Sequence, residues 1–288
     1  MMFGIGLAVL FGMVFGGFLI AGGHMEPILH SLPYELMIIG GAAIGAMIIG
    51  NSIRAVKHLG GSFAKILKGP RWKDADYMSA ILLVGRLTKL MKDEGPVAVE
   101  PHVEEPQTSD IFKDYPTLLA DHFFVSYVTD ALRLQVIAPG GLDPFQVEEV
   151  MDSALKTHLH HEEESVHMLE SLADGLPALG IVAAVLGVIK TMGSIDQPPA
   201  VLGAMIGSAL VGTFLGVFMA YGIAAPCASR LKQVLREEAE LYHVAKQIIV
   251  ASIRNSPQAL VIEAARTSIS AHNQPTFAAV FDGLREAA

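Results

Sequence analysis

Four stretches of this chain carry almost no charge, and each is long enough to cross a bilayer. Met1 to Gly23 holds no Asp, Glu, Lys, Arg or His, Leu36 to Ile53 is uncharged for 18 residues, and Gln197 to Ser229 for 33. Between Asp174 and Asp196 the sole charge is Lys190, whose long stem can carry its ammonium to the interface. About 20 mostly apolar residues cross roughly 30 Å of hydrocarbon. The runs therefore predict transmembrane helices at about 3–22, 35–53, 173–192 and 201–226. Composition agrees: 52% of the 288 residues are hydrophobic, 17% are charged and the mean hydropathy is +0.46. The first run lacks a basic n-region and is followed closely by a second apolar run, so it reads as a retained helix rather than a cleaved signal.

The basic residues set the orientation. Twelve Lys and Arg fall from Arg54 to Asp174 and seven from Arg230 onward, whereas the outer hairpins hold one, Lys190. The positive-inside bias places both termini and the long middle segment in the cytoplasm. The net charge of −9 argues against a general nucleic-acid binder. Cys227, the single cysteine, can form no bridge within the chain and reads as a small packing residue.

The fold class expected is an all-α integral membrane protein with four transmembrane helices, the third and fourth extended into a helical cytoplasmic domain. Its parts are a first hairpin (1–53), a cytoplasmic helical domain (54–172), a second hairpin (173–226) and C-terminal helices (227–288). Asp74–Met91 shows helical spacing and ends at Glu94-Gly95-Pro96. Pro96–Asp110, with three prolines, reads as an ordered or semi-ordered loop. Tyr115–Ala138 is periodic again and breaks at Pro139-Gly140-Gly141, and Pro144 opens a polar helix running towards the third span. After Ser229 the apolar positions continue the fourth span as an amphipathic helix.

Inside the spans the polar groups are hydroxyls: Thr191, Ser208, Thr213 and Tyr221, with Asn51 and Ser52 at an end. Such groups can line a wet path but do not titrate usefully at neutral pH. No carboxylate is expected in the middle of any span, so an acid for proton transfer would have to come from another chain. Pro177 and Pro226, near the cytoplasmic ends of the third and fourth spans, each remove a helix hydrogen bond and mark a bend or hinge. Glycine pairs four apart (Gly12/Gly16, Gly41/Gly45, Gly203/Gly207, Gly212/Gly216) allow close helix packing, within one chain or between chains.

The polar clusters are weaker signals. His158, His160, His161 and His167, among three glutamates, lack a metal-site motif and read as a solvated helix surface. Arg71-Trp72-Lys73 reads as an interfacial patch. No P-loop, GxSxG or dinucleotide fingerprint is present, and the chain is read as non-enzymatic with no cofactor or metal.

The stretch Leu176-Pro177-Ala178-Leu179-Gly180-Ile181-Val182-Ala183-Ala184-Val185-Leu186-Gly187 resembles the third span of flagellar motor stator A subunits of the MotA type. Val211-Gly212-Thr213-Phe214-Leu215-Gly216 and Ala220-Tyr221-Gly222-Ile223-Ala224-Ala225-Pro226 resemble the fourth. Val14-Phe15-Gly16-Gly17 and Ile111-Phe112-Lys113-Asp114-Tyr115-Pro116 match elsewhere, so the similarity runs nearly the whole length. The resemblance implies a multi-pass protein of the bacterial inner membrane. It implies a ring of five around two copies of a single-span B subunit, which supplies the essential aspartate and the peptidoglycan anchor. Ion flow would turn the ring against a rotor switch protein of the FliG type. On this resemblance Lys92 and Glu100, with Lys89 and Glu104 nearby, face the rotor. Lys92 stands where the family commonly has arginine and lacks its planar fork. Pro177 and Pro226 couple conformational change, and Ala184, Thr213, Tyr221, Thr191 and Ser208 line the ion path. Sodium-driven members carry threonine where Ala184 stands. Its absence removes one sodium ligand and favours H+ over Na+ as the transported ion. The alternatives are an ExbB- or TolQ-like energising subunit, expected to have three spans, and a membrane metalloenzyme built on the histidine cluster.

Overall fold

A computed structural model of the chain describes residues 2–138 and 141–286; the expected break at Pro139-Gly140 lies outside them. Among the described residues every regular element is helical: α1 (Met2–Ile20), α2 (Glu26–Gly50), α3 (Ile53–Lys68), α4 (Asp74–Asp93), α5 (Pro96–Glu104), α6 (Asp110–Lys113), α7 (Pro116–Leu119), α8 (His122–Ile137), α9 (Pro144–Met192), α10 (Pro199–Ile253), α11 (Gln258–Thr267) and α12 (Phe277–Glu286). Four of them, α1, α2, α9 and α10, are long and apolar enough to cross a membrane. At 1.5 Å per residue, the 49 residues of α9 and the 55 of α10 extend about 74 and 82 Å. Each is more than twice a hydrocarbon thickness, so the expected continuation of both spans as long helices is met.

The chain divides into two compact units, one made of residues up to Gly69 with Glu162–Val234, the other of Pro70–His161 with Leu235–Ala288. The first holds the apolar helices and α3. Ser52 caps α3 by accepting from Ala55 N at 3.2 Å, and Gly69, at φ +86°, ends it in a conformation that suits glycine. Ala55, Leu59, Ser62 and Ile66 form the buried stripe of α3. Lys65 Nζ meets Glu162 Oε2 at 2.6 Å, and within the buried stripe Ser62 Oγ donates to Ser165 Oγ at 3.1 Å.

The second unit is an ordinary water-type helical core. Tyr77, Leu83, Val84 and Leu87 of α4 pack with Phe124, Val128 and Leu132 of α8, with Leu241, Val244 and Ile248 of α10, and with Val261 and Ile262 of α11. Each such side chain contributes about 1.5–3 kcal/mol when fully buried. Asp121 starts α8 by accepting from Phe124 N at 2.7 Å, and the same carboxylate accepts from Arg71 Nη1 at 2.6 Å.

Three expectations change here. Pro96–Asp110 is not a loop throughout: Pro96 occupies the first turn of α5, where its missing N–H costs nothing. Pro101 inside that helix forfeits one hydrogen bond, offset by burial of Val99 and Val103. Trp72 is not interfacial but 3% exposed, packed edge-on to Tyr242 with the Arg71 guanidinium 4.5 Å above its ring. His158 leaves the solvated surface and stacks on Phe123 at 3.6 Å between centroids, against the edge of Tyr242. His160, His161 and His167 are exposed. Among the described residues no three His, Cys, Asp or Glu side chains are placed to hold a metal.

Candidate functional site

The apolar unit is built around a backbone-to-backbone seam between α9 and α10. A β-carbon on Gly216 would lie 2.7 Å from Leu176 O and 2.8 Å from Gly180 Cα. One on Gly180 would lie 2.8 Å from Gly212 O, and one on Gly187 2.6 Å from Ala209 Cβ. Only hydrogen fits at these points, which brings the two helix axes together without any hydrophobic drive. By contrast Gly12, Gly16, Gly41, Gly45, Gly203 and Gly207 have nothing within 4 Å. Of the glycine pairs noted in the sequence, one therefore serves packing within the chain, and three present open backbone.

α2 lies against this seam. Its buried stripe runs Ser31, Glu35, Ile39 and Ala43, at intervals of four. Glu35 is an acid buried in this stripe, at the edge of the span expected at 35–53. The helix that carries that span begins at Glu26, so Glu35 lies nine residues, about 14 Å along the axis, from the helix start. It is 7% exposed, its Oε2 has no hydrogen-bond partner, and a β-carbon on Gly212 would lie 2.7 Å from that oxygen. The same point is 3.2 Å from Ala184 N, so the carboxyl lies over the backbone next to Thr213 and beside Ala184. Thr213 and Ala184 are themselves half-buried.

A cavity of about 470 Å³ opens beside this carboxyl, lined by α2, α9 and α10. Thr191 and Ser208 line it, with His30, Ser31, Tyr34 and Lys190. Thr191 Oγ1 donates to Gly187 O at 2.9 Å, Ser31 Oγ donates to Pro27 O at 2.8 Å, and the Ser31 and Ser208 hydroxyls meet in a short hydrogen bond. Two of the sequence-selected hydroxyls are thus brought together at one cavity. Tyr221, 65% exposed, points away from the chain's own interior. Across the unit, α1 touches α10 through rings: Phe11 meets Phe218 edge-on at 5.2 Å and Phe15 meets Phe214 at 6.1 Å.

The helix-breaking residues sit beside altered turns. Residues Met219–Ala224, just before Pro226, form a π-helical turn, and Leu36–Gly40, just after Pro33 and Glu35, form another. Pro226 leaves the carbonyl of Gly222, four residues back and inside the first of these turns, without its donor, and the wider turn is one way to absorb the mismatch. Pro33 and its turn were missed in the sequence; Pro177 is accommodated inside the continuous helix α9.

The charged candidates lie in the second unit. Lys89 and Lys92 are exposed on the last turns of α4, and Glu100 is exposed on α5 after the left-handed Gly95 at φ +89°. Glu104 is not a free charge: its Oε1 accepts from Arg133 Nε at 2.7 Å, while Arg133 Nη1 donates to Asp130 at 2.5 Å. These acceptors hold the Arg133 guanidinium above its ordinary pKa, as Asp114 at 2.8 Å does for Arg86. Lys92 and Glu100 stand exposed at the surface of this unit.

Comparison with known proteins locates this arrangement. Residues 4–95 match the family model Motility protein A N-terminal, and residues 119–243 match the MotA/TolQ/ExbB proton channel family. Motility protein A of Salmonella typhimurium is 35% identical over 281 residues, covering 98% of this chain and 94% of the relative. The Escherichia coli Motility protein A matches to the same extent, and Chemotaxis protein LafT of Vibrio parahaemolyticus is 33% identical over 95% of this chain and 94% of its own length. Among solved structures, the C. jejuni MotAB chain superposes with a TM-score of 0.72 at 18% identity, covering 93% of this chain and 94% of that one. A chain of the flagellar MotAB stator complex from Bacillus subtilis gives 0.69 at 19%, covering 99% and 98%. With four apolar helices, a glycine seam between the last two and this identity along nearly its whole length, the chain belongs to the Motility protein A family of flagellar motor stator A subunits.

Proposed function

We propose that this stator A subunit works in the bacterial inner membrane, both termini cytoplasmic, as one of five copies around two single-span B subunits. Protons passing through the complex drive rotation of the ring. The α9–α10 seam carries this reading, because it holds Ala184 and the backbone beside Thr213 in one rigid wall next to a polar cavity. The titles of the C. jejuni and B. subtilis neighbours name MotAB complexes, which supports a B-type partner. Ala184, a methyl where sodium-driven members carry a hydroxyl, supports the proton as the ion.

In the mechanism, a proton neutralises the B subunit's aspartate and lowers its cost of facing the α9–α10 wall. The preferred A subunit changes and the ring steps. One charge moving through 100 mV releases about 2.3 kcal/mol, enough to exchange one or two weak interface contacts. Pro177 and Pro226 pass the change along the long helices, and the exposed Lys92 and Glu100 of the second unit steer the rotor contact. The test is complementation of a non-motile, stator-deficient strain by this chain with its B partner, with and without a sodium gradient. Swimming independent of sodium is expected; motility only with sodium overturns the choice of ion, and no motility overturns the motor role.

A further inference from the structure

We propose that Glu35 is a second proton-holding acid of the complex, one that this chain supplies itself, and that the cavity beside it is its proton well. The proposal deepens the proton-driven reading above and rests on it. Four observations meet at this residue. The carboxyl belongs to a helix long and apolar enough to cross a membrane and is 7% exposed. Its Oε2 has no partner, in a protein interior where an unpaired polar atom is costly. It opens on a cavity of about 470 Å³ whose polar lining can hold several waters, each needing about 30 Å³. Finally, it rests on Gly212, where any β-carbon would meet it at 2.7 Å, beside Ala184 and Thr213.

An ionised carboxyl without a partner is expensive to bury, so in this proposal Glu35 holds a proton until cavity water or a nearby acceptor takes it. The transfer conserves charge simply: the O–H bond at the carboxyl breaks as one forms on a cavity water, and the reverse step reloads it. Titratable or charged groups lining the cavity are His30 and Tyr34 from α2 and Lys190 from α9; α10 contributes the Ser208 hydroxyl and apolar side chains. Ser31 and Ser208, hydrogen-bonded across the same wall, can pass the proton along without ionising. The π-helical turn at Leu36–Gly40 directly follows Glu35, and such turns recur at functional sites.

The experiment uses the complex with its B subunit in membrane vesicles. Proton current under an imposed potential is recorded for the wild type, Glu35→Gln and Glu35→Asp, each checked for co-purification of the two subunits. Glu35→Gln, nearly isosteric, is expected to assemble and lose current at least threefold, most steeply at alkaline outer pH, with Glu35→Asp restoring most of it. Full current in Glu35→Gln, unchanged across outer pH, overturns the proposal. Should Glu35→Gln not assemble, the wild-type complex is treated with a hydrophobic carbodiimide, which reacts with protonated carboxyls. An adduct on Glu35 that fades as outer pH rises supports the proposal; no adduct there, with the B subunit's acid labelled, overturns it. A wild-type complex that carries sodium but no proton current removes the proton-driven reading itself and this proposal with it.

Discussion

Gly216→Ala offers a quantitative test of the α9–α10 seam. The added methyl would sit 2.7 Å from Leu176 O, 2.8 Å from Gly180 Cα and 3.1 Å from Gly180 N, and all three neighbours are backbone. Carbon and oxygen in contact prefer roughly 3.3–3.6 Å, so the helices must part by something under 1 Å. A gap of 0.5–1 Å forfeits a quarter to a half of each dispersion contact it opens, and overpacked sites typically cost about 1–3 kcal/mol. That penalty is of the same size as the roughly 2.3 kcal/mol that one charge gains across 100 mV. A motor stepping on differences that small should stall under load before it falls apart. Swimming speed in a stator-deficient host should fall strongly while the two subunits still co-purify. Torque at high load indistinguishable from wild type would refute the seam as a working wall. Gly203→Ala, with nothing within 4 Å in the chain, is the control; a loss there as large reports a neighbouring subunit packed on that stripe.

Reversing the exposed charge with Glu100→Lys should reduce swimming while proton current stays at the wild-type level; a lost current would contradict its assignment to the rotor contact. Thr213→Val removes a hydroxyl at constant shape and should lower torque with assembly intact, read by tethered-cell rotation, and unchanged rotation would remove Thr213 from the ion path. Tyr77, buried and donating to Glu237 O at 3.0 Å, is pushed up to about 12, chiefly by burial and next by Glu240. Because the unfolded tyrosine ionises near 10, its contribution is complete below about pH 10 and is lost as pH rises towards 12. Thermal melts between pH 8 and 11 should show this alkaline loss, weakened in Tyr77→Phe; equal slopes in both proteins would count against it. Asp121→Ala removes both the α8 cap and the partner of Arg71 and should cost about 2–4 kcal/mol in denaturant unfolding, with Asp121→Asn intermediate. A cost under about 0.5 kcal/mol would show that the two bonds contribute little.

Much of the fold was legible because the bilayer leaves a coarse mark. The uncharged runs located all four membrane helices, and the apolar positions after Ser229 located the continuation of α10. Glu35 escaped because it stands at the edge of the uncharged run that begins at Leu36, where an acid reads as the end of a span rather than as part of its packed face. The overlooked signal was the interval of four joining Ser31, Glu35, Ile39 and Ala43, a stripe that buries one acid among apolar neighbours. Pro101 argued for a loop by local propensity, yet the packing of Val99 and Val103 outweighed one missing hydrogen bond. Trp72 and His158 looked solvated from their charged neighbours in sequence, and only the tertiary stacking with Tyr242 and Phe123 decides otherwise. Lys92 and Glu100 carry no local signature that separates them from other surface charges; their selection came wholly from family resemblance.

The two widened turns have a mechanical corollary. Each holds one residue more than an ordinary helical turn needs, and one residue corresponds to about 100° of winding. Sliding that surplus along the rod trades one set of carbonyl acceptors for the next, leaving the tally of bonds nearly constant while the far end swivels. Met219–Ala224 in the last membrane helix and Leu36–Gly40 in the second are therefore places where torsion can be stored or released cheaply, whereas α9 keeps α-helical winding over its 49 residues and yields by bending at Pro177.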